Sequence, residues 1–232
     1  MKIGILQAGH TPAELLSSHG DYDGMFCRLL DGHGFSFAAY DVENMVFPGS
    51  IRDADGWVVT GSKHGAYEDH AFIPALERFI REAHAGDVPL VGVCFGHQIA
   101  AQALGGRVVK HIGGWSLGRQ IYETAGGGRL ALNAWHQDQV VDLPEGAVCL
   151  AGSASCPNAI LAYGNRVLTV QPHPEYGSDL IADFVALRQG TGTYPDDRME
   201  AAKEDRHSAV DNVRLGAVIA RFFLTRHADV DA

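Results

Sequence analysis

The sequence predicts an α/β fold, a doubly wound, mostly parallel sheet flanked by helices, on three observations. Apolar runs of strand length alternate with helix-patterned stretches from Lys2 to Leu104. The fourth run, Pro89 to Val93, ends in Gly92-Val93-Cys94-Phe95-Gly96 and passes at once into a helical pattern. After Gly106 the texture changes to shorter β-like pieces, which predicts a small antiparallel β extension.

The elements follow in order. Lys2 to Gln7 reads as a first buried strand, and Asp21 to Leu30 as a helix with Met25, Phe26, Leu29 and Leu30 on its apolar face. Phe35 to Val42 and Gly56 to Thr60 are the second and third strands. Ala71 to Ala85 carries Ile73, Leu76, Phe79 and Ile80 at helical spacing. Gly96 to Leu104 is a helix stopped by Gly105-Gly106. Short β pieces follow at Arg107 to Lys110, Arg119 to Glu123 and Ala147 to Leu150. Ala159 to Tyr163 and Val167 to Val170 flank Gly164-Asn165, a hairpin turn. Two apolar stripes mark the closing helices: Leu180, Ile181, Phe184 and Val185, then Leu215, Val218, Ile219, Phe222 and Phe223. Between them, 190–207 is polar and fits a surface loop with a short helix better than a lid or a partner contact. With no internal repeat or linker, residues 1–232 read as one domain, a core of about 1–189 and a helical extension over 190–232.

Composition narrows the function classes. Hydrophobic residues at 46% against 20% charged describe a globular chain. Acidic residues outnumber basic ones by 28 to 18, and the net charge of -10 argues against a nucleic-acid partner. Met1-Lys2-Ile3 enters a strand directly, without the pattern of a signal peptide, and no apolar stretch is long enough to cross a bilayer. The expectation is a cytoplasmic protein without a membrane partner. Cys27, Cys94, Cys149 and Cys156 form no CxxC pair, and the histidines complete no zinc pattern, so no metal site is expected. Cys149 and Cys156 have the spacing to pair, but reduced thiols fit a cytosolic setting better.

Gly92-Val93-Cys94-Phe95-Gly96 reads as a nucleophile elbow with sulfur in place of oxygen. The flanking glycines leave room for a sharp strand-to-helix turn that larger side chains would crowd. Such a turn lifts the sulfur from the sheet edge to a helix N-terminus, where free N–H groups favour a thiolate. A thiol nucleophile needs a base and a group to orient that base. The best candidates lie in Gln171-Pro172-His173-Pro174-Glu175, directly after an apolar strand. Prolines on both sides of His173 restrict the loop. Glu175, two residues on, has the spacing to hold one imidazole nitrogen while the other faces the thiol. His97, although near Cys94 in sequence, reads as a helix residue pointing away from it.

Together, Gly92-Val93-Cys94-Phe95-Gly96-His97-Gln98 and Gln171-Pro172-His173-Pro174-Glu175 closely resemble the class I, triad-type glutamine amidotransferase domain. The resemblance runs from the first strand to the helix after Glu175, and is nearest to stand-alone proteins similar to the amidotransferase half of GMP synthase. It implies the flavodoxin-like fold of that family, Cys94 as nucleophile, His173 as general base and then acid, and Glu175 as its orienting group. Thr60-Gly61-Ser62-Lys63-His64-Gly65 falls where the family supplies an oxyanion-hole N–H. Many members have Gly-Gly-Pro there, so the choice between the N–H groups of Gly61 and Ser62 stays open. The other donor implied is the N–H of Phe95. Trp135-His136-Gln137-Asp138-Gln139-Val140 resembles the segment that holds the α-amino and α-carboxylate ends of glutamine. Gln98 resembles the elbow-helix glutamine that touches the substrate side chain. As surface features, His136 would be a turn residue and Gln98 a solvent-facing one. Trp115, after Gly113-Gly114, fits a pocket wall or the core equally.

The implied reaction is hydrolysis of the γ-amide of glutamine through a γ-glutamyl thioester, releasing glutamate and ammonia with no cofactor. The implied ligand is a small molecule, glutamine or a γ-glutamyl compound. No Gly-x-x-x-x-Gly-Lys-Ser/Thr phosphate loop is present and the length leaves no room for a synthetase domain, so a separate acceptor or synthetase subunit is a possible partner. A γ-glutamyl peptidase is the alternative enzyme. A redox-sensing or binding relative using Cys94 is the alternative outside catalysis.

Overall fold

The first four apolar runs become neighbouring parallel strands of one sheet. The computed structural model describes residues 1–231. In chain order these form β1 (Lys2–Gln7), α1 (Leu16–His19), α2 (Tyr22–Leu29), β2 (Ser36–Asp41), β3 (Gly56–Val59), α3 (Phe72–Ala85), β4 (Leu90–Val93) and α4 (Phe95–Ala103). The chain continues through β5 (Arg107–Lys110), β6 (Ser116–Thr124), β7 (Arg129–His136), β8 (Asp138–Asp142), β9 (Ala147–Gly152), β10 (Ile160–Tyr163) and β11 (Val167–Val170). It closes with α5 (Ser178–Arg188), α6 (Asp196–Glu204), a 3-10 turn at Asp205–His207 and α7 (Asn212–Thr225).

The nine-stranded sheet has the order β2-β1-β3-β4-β11-β10-β9-β6-β7. Its first five strands are parallel and the remaining four antiparallel. With β11 as the fifth strand, the parallel half has the flavodoxin-like order 2-1-3-4-5. A separate two-stranded antiparallel sheet joins β5 to β8. The antiparallel extension is therefore larger than the sequence reading, which recognises neither β7 nor β8.

Alternation along the strands makes two cores. Leu6, Trp57, Val59, Leu90 and Val167 pack on one side with Leu76, Ile80 and Phe95 from α3 and α4. Ile3, Ile5, Val58, Val91 and Leu168 pack on the other with Phe26, Leu215 and Phe222 from α2 and α7. A period of two on strands buried from both sides requires a helix layer on each face. α3 meets that need with a stripe of Phe72, Ile73, Leu76, Phe79, Ile80 and Ala83. A third cluster joins α5 and α6 through Leu180, Ile181, Phe184, Val185 and Met199. Met199 and Ala202 are buried, so 190–207 contributes to packing beyond a surface loop. Gly118, at φ +68°, lets Ala202 close on β6. Among the described residues no helix is long and apolar enough to cross a membrane.

Candidate active site

The carboxyl ends of β1, β3, β4 and β11 deliver four loops to one edge of the sheet, where open α/β sheets place their ligands. Cys94 terminates β4 and caps α4 with φ +53° and ψ -104°, left-handed backbone that side chains other than glycine's rarely adopt. The neighbouring glycines make this turn possible. A Cβ on Gly92 would lie 2.3 Å from the Gly96 carbonyl oxygen, and one on Gly96 would lie 2.2 Å from that of Val59. Both contacts are with backbone, so nothing flexible can yield.

His173 sits in the loop after β11. Its N–H donates to the Asn133 carbonyl at 2.8 Å, tying the loop to β7. Its ring Nδ1 donates to Glu175 Oε1 at 2.7 Å, with the two side chains only 3% and 1% exposed. That bond leaves Nε2 available to Cys94, whose Cβ lies against Gly61 together with the imidazole. Burial disfavours a charged imidazole, but negative charge on Cys94 and Glu175 outweighs it and raises the His173 pKa to about 10. The structure thus brings Cys94, His173 and Glu175 together although the chain separates the first from the others.

Gly61 and Ser62 approach from the end of β3. A Cβ on Gly61 would be 3.1 Å from His173 Cε1 and 3.9 Å from Cys94 Cβ, so this backbone runs against both side chains. Thr60 fixes the loop, its hydroxyl accepting from Ala8 N–H and donating to the Gly61 carbonyl, each at 3.0 Å. Phe95 supplies the first N–H of α4, in the turn where helices lack internal acceptors.

A cleft of about 510 Å³ opens above Cys94 and is lined by Ser62, Gln98, His136, Gln137, Asp138 and His173 among others. Gln98 is buried, and its amide donates to the Asp138 carbonyl at 2.9 Å and to Gln171 Oε1 at 3.2 Å. It therefore braces the 136–138 segment from below. His136 ends β7 as a buried ring, and neither nitrogen has a partner among the described residues. Burial first, then the charge of His173, lowers its pKa to about 3. Gln137 is tied to the His111 backbone at 3.1 Å. Asp138 is half-buried. Burial raises its pKa against the opposing effects of the Tyr67 hydroxyl and Lys110. His97 turns into the sheet, its Nδ1 paired with the Thr169 hydroxyl at 2.8 Å.

Trp115 is half-buried and meets both of its readings, lining the cleft while packing against the third hydrophobic cluster. The sequence reading assigns no site role to Tyr22, Tyr176, Arg188 or Tyr194, which also line the cleft. A Gly-rich approach to an aromatic, repeated at Gly113-Gly114-Trp115 and Gly190-Thr191-Gly192-Thr193-Tyr194, is the available signal. At the rim, His64, Glu68 and His70 bring metal-type ligand atoms within 4.8 Å of one another, the one such group found among the described residues. Those atoms are engaged within the protein: His70 Nε2 with Glu68 at 2.9 Å, and His64 Nε2 with Glu43 at 3.0 Å. All four cysteines are free thiols.

Comparison with known proteins supplies the family. The model of the class I glutamine amidotransferases matches residues 51–184. Gamma-glutamyl peptidase 4 of Arabidopsis thaliana is 27% identical, with 90% of this chain and 89% of that protein covered. A glutamine-hydrolyzing GMP synthase subunit of Methanopyrus kandleri is 29% identical, over 75% of this chain and 96% of that protein. The crystal structure of a glutamine amidotransferase from Methylobacillus flagellatus superposes with a TM-score of 0.76 at 23% identity, covering 97% of this chain and 93% of that one. This chain belongs to the class I glutamine amidotransferase family.

Proposed function

We propose that the protein is a cysteine-dependent hydrolase of γ-glutamyl amides. The observation that carries this reading is the strained backbone of Cys94 beside a buried His173–Glu175 pair. Cys94 gives its thiol proton to His173 as its sulfur attacks the γ-carbonyl carbon, and the N–H groups of Phe95 and of Gly61 or Ser62 receive the oxyanion. The C–N bond breaks as His173 gives its proton to the leaving nitrogen, leaving a γ-glutamyl thioester. His173 then takes a proton from water, whose oxygen adds to the same carbon. The C–S bond breaks, glutamate departs, and the proton returns to sulfur. Glu175 holds the imidazole throughout. His136, Gln137 and Asp138 carry the α-amino and α-carboxylate ends, with Gln98 beneath them.

The test is turnover of glutamine and short γ-glutamyl peptides, with acid quenching and mass spectrometry of the peptide containing Cys94. A γ-glutamyl adduct on Cys94, absent from Cys94→Ala, is expected. Activity retained by Cys94→Ala excludes the mechanism. Equal labelling of Cys27, Cys149 and Cys156 by a glutamine-like electrophile supports a redox sensor instead. A second reading is a glutaminase subunit feeding ammonia to a separate synthetase, and the 96% coverage of the Methanopyrus GMP synthase protein favours it. In that case glutamine is hydrolysed slowly until the synthetase is added.

A further inference from the structure

The cleft has a second wall that the proposed chemistry leaves unused. It begins at the imidazole itself. Tyr176 stacks on His173 with ring centroids 3.9 Å apart, and Phe184 follows at 5.6 Å from Tyr176. Trp135 lies 5.0 Å beyond Phe184, Tyr194 lies 5.3 Å from Trp135, and Trp115 lies 4.6 Å from Tyr194. Five aromatic rings thus run unbroken from His173 along the cleft, and the last three are only half-buried. Arg188, one turn after Phe184 on α5, also lines the cleft. Its carbonyl accepts from the Thr191 hydroxyl, but its guanidinium has no carboxylate or carbonyl partner among the described residues. In a chain of net charge -10, an unpaired cation inside a cleft is not part of a general basic surface.

Reaction geometry says which part of a substrate meets this wall. The leaving nitrogen takes its proton from His173, so whatever is attached to that nitrogen must extend on the imidazole's side. Ammonia would leave the rings and Arg188 without an occupant. We propose that the wall is a leaving-group subsite for a γ-glutamyl peptide whose second residue is large and apolar, with its C-terminal carboxylate on Arg188. The aromatic faces take the side chain, and the guanidinium fork suits a carboxylate. This inference rests on the γ-glutamyl hydrolase reading and names its substrate class.

The experiment compares four substrates on the full-length protein: γ-Glu-Phe, γ-Glu-Gly, γ-glutamyl phenethylamide and glutamine. The phenethylamide keeps the ring and lacks the carboxylate. The kcat/KM for γ-Glu-Phe should exceed that for γ-Glu-Gly and for the phenethylamide by about tenfold or more. Trp115→Ala should narrow the first preference and Arg188→Met the second to within about twofold, the loss carried mainly by KM. Should either variant fail to fold, the ranking of substrates by the unaltered protein still decides. Equal kcat/KM for γ-Glu-Phe and γ-Glu-Gly overturns the subsite while leaving the hydrolase reading in place. No turnover of any of the four removes the reading and the subsite together.

Discussion

His173 and Tyr176 lie face to face, their ring centroids 3.9 Å apart and their planes within 4° of parallel. Tyr176 is itself held at both ends. Its hydroxyl donates to Tyr22 at 3.0 Å, and its carbonyl accepts from the amides of Asn133 at 2.8 Å and Asn212 at 2.9 Å. The imidazole therefore has an edge fixed by Glu175 and a face fixed by Tyr176. A ring held in both ways cannot swing away from Cys94.

Tyr176 should position His173 through its ring and not through its hydroxyl. Tyr176→Phe keeps the stacked face and should lower stability by about 1 kcal/mol, with kcat close to that of the unaltered protein. Tyr176→Ala empties a buried site and should cost about 3–5 kcal/mol of stability. It should also lower kcat by about ten- to a hundredfold, since an unsupported ring loses its alignment. Urea unfolding and γ-glutamyl hydrolysis measure the two effects. A loss of kcat as large in Tyr176→Phe as in Tyr176→Ala would show that the hydroxyl contact does the positioning.

Gly61 tests the opposite side of the same ring. A methyl group there would stand 3.1 Å from His173 Cε1, so the imidazole must retreat by a few tenths of an ångström. No backbone atom opposes that added Cβ at such close range. Gly61→Ala should therefore keep stability within about 1 kcal/mol while kcat falls about tenfold or more. Unchanged kcat in a folded Gly61→Ala protein would mean that the position of this ring is not limiting.

What can be read in the sequence divides along the range of the contacts involved. The elbow is legible because its requirement is written in adjacent residues: Gly92 meets the Gly96 carbonyl and Gly96 the Val59 carbonyl of β3, and only glycine fits against backbone at either position. The His173–Glu175 bond is legible because two residues and two prolines fix its geometry. Burial of His136 is not legible. It follows from the pairing of β7 with β6 and from the bridge between Asn133 and His173, neither of which leaves a local pattern. Beyond the glycine-rich approaches to Trp115 and Tyr194, the aromatic wall is hidden for the same reason, being assembled from residues 115, 135, 176, 184 and 194 on separate elements. Met199 reads as one apolar residue in a polar segment, and only packing against α5 shows why it is buried.

The conformation of Cys94 predicts a conflict between stability and activity. Its φ of +53° costs a side-chain-bearing residue about 1–3 kcal/mol that glycine does not incur. Cys94→Ala and Cys94→Gly both delete the sulfur and should both abolish turnover. They differ only in the Cβ, so the glycine variant should be the more stable, by about 1 kcal/mol once its greater unfolded-state entropy is subtracted. Chemical denaturation of the pair measures the difference. An alanine variant at least as stable as the glycine variant would mean that the surrounding structure relieves the strain.

Three buried imidazoles should shape stability against pH in opposite senses. Burial, then repulsion from the neighbouring imidazole, lowers His97 and His136 from 6.5 to about 3. A histidine with a lowered folded pKa binds more protons when unfolded, so its contribution is complete above 6.5 and is lost as pH falls toward 3. Burial also opposes charge on His173, but Cys94 and Glu175 prevail and raise it to about 10. Its contribution is complete below 6.5 and is lost as pH rises toward 10. The two trends place the stability maximum near pH 6.5. Around pH 5, unfolding should take up about two protons, giving a slope of about 2.7 kcal/mol per pH unit, and His136→Asn should roughly halve it. Urea midpoints between pH 4.5 and 9 measure both limbs. A flat profile from pH 6.5 to 5 would mean that His97 and His136 are charged in the folded protein, against the burial that surrounds them.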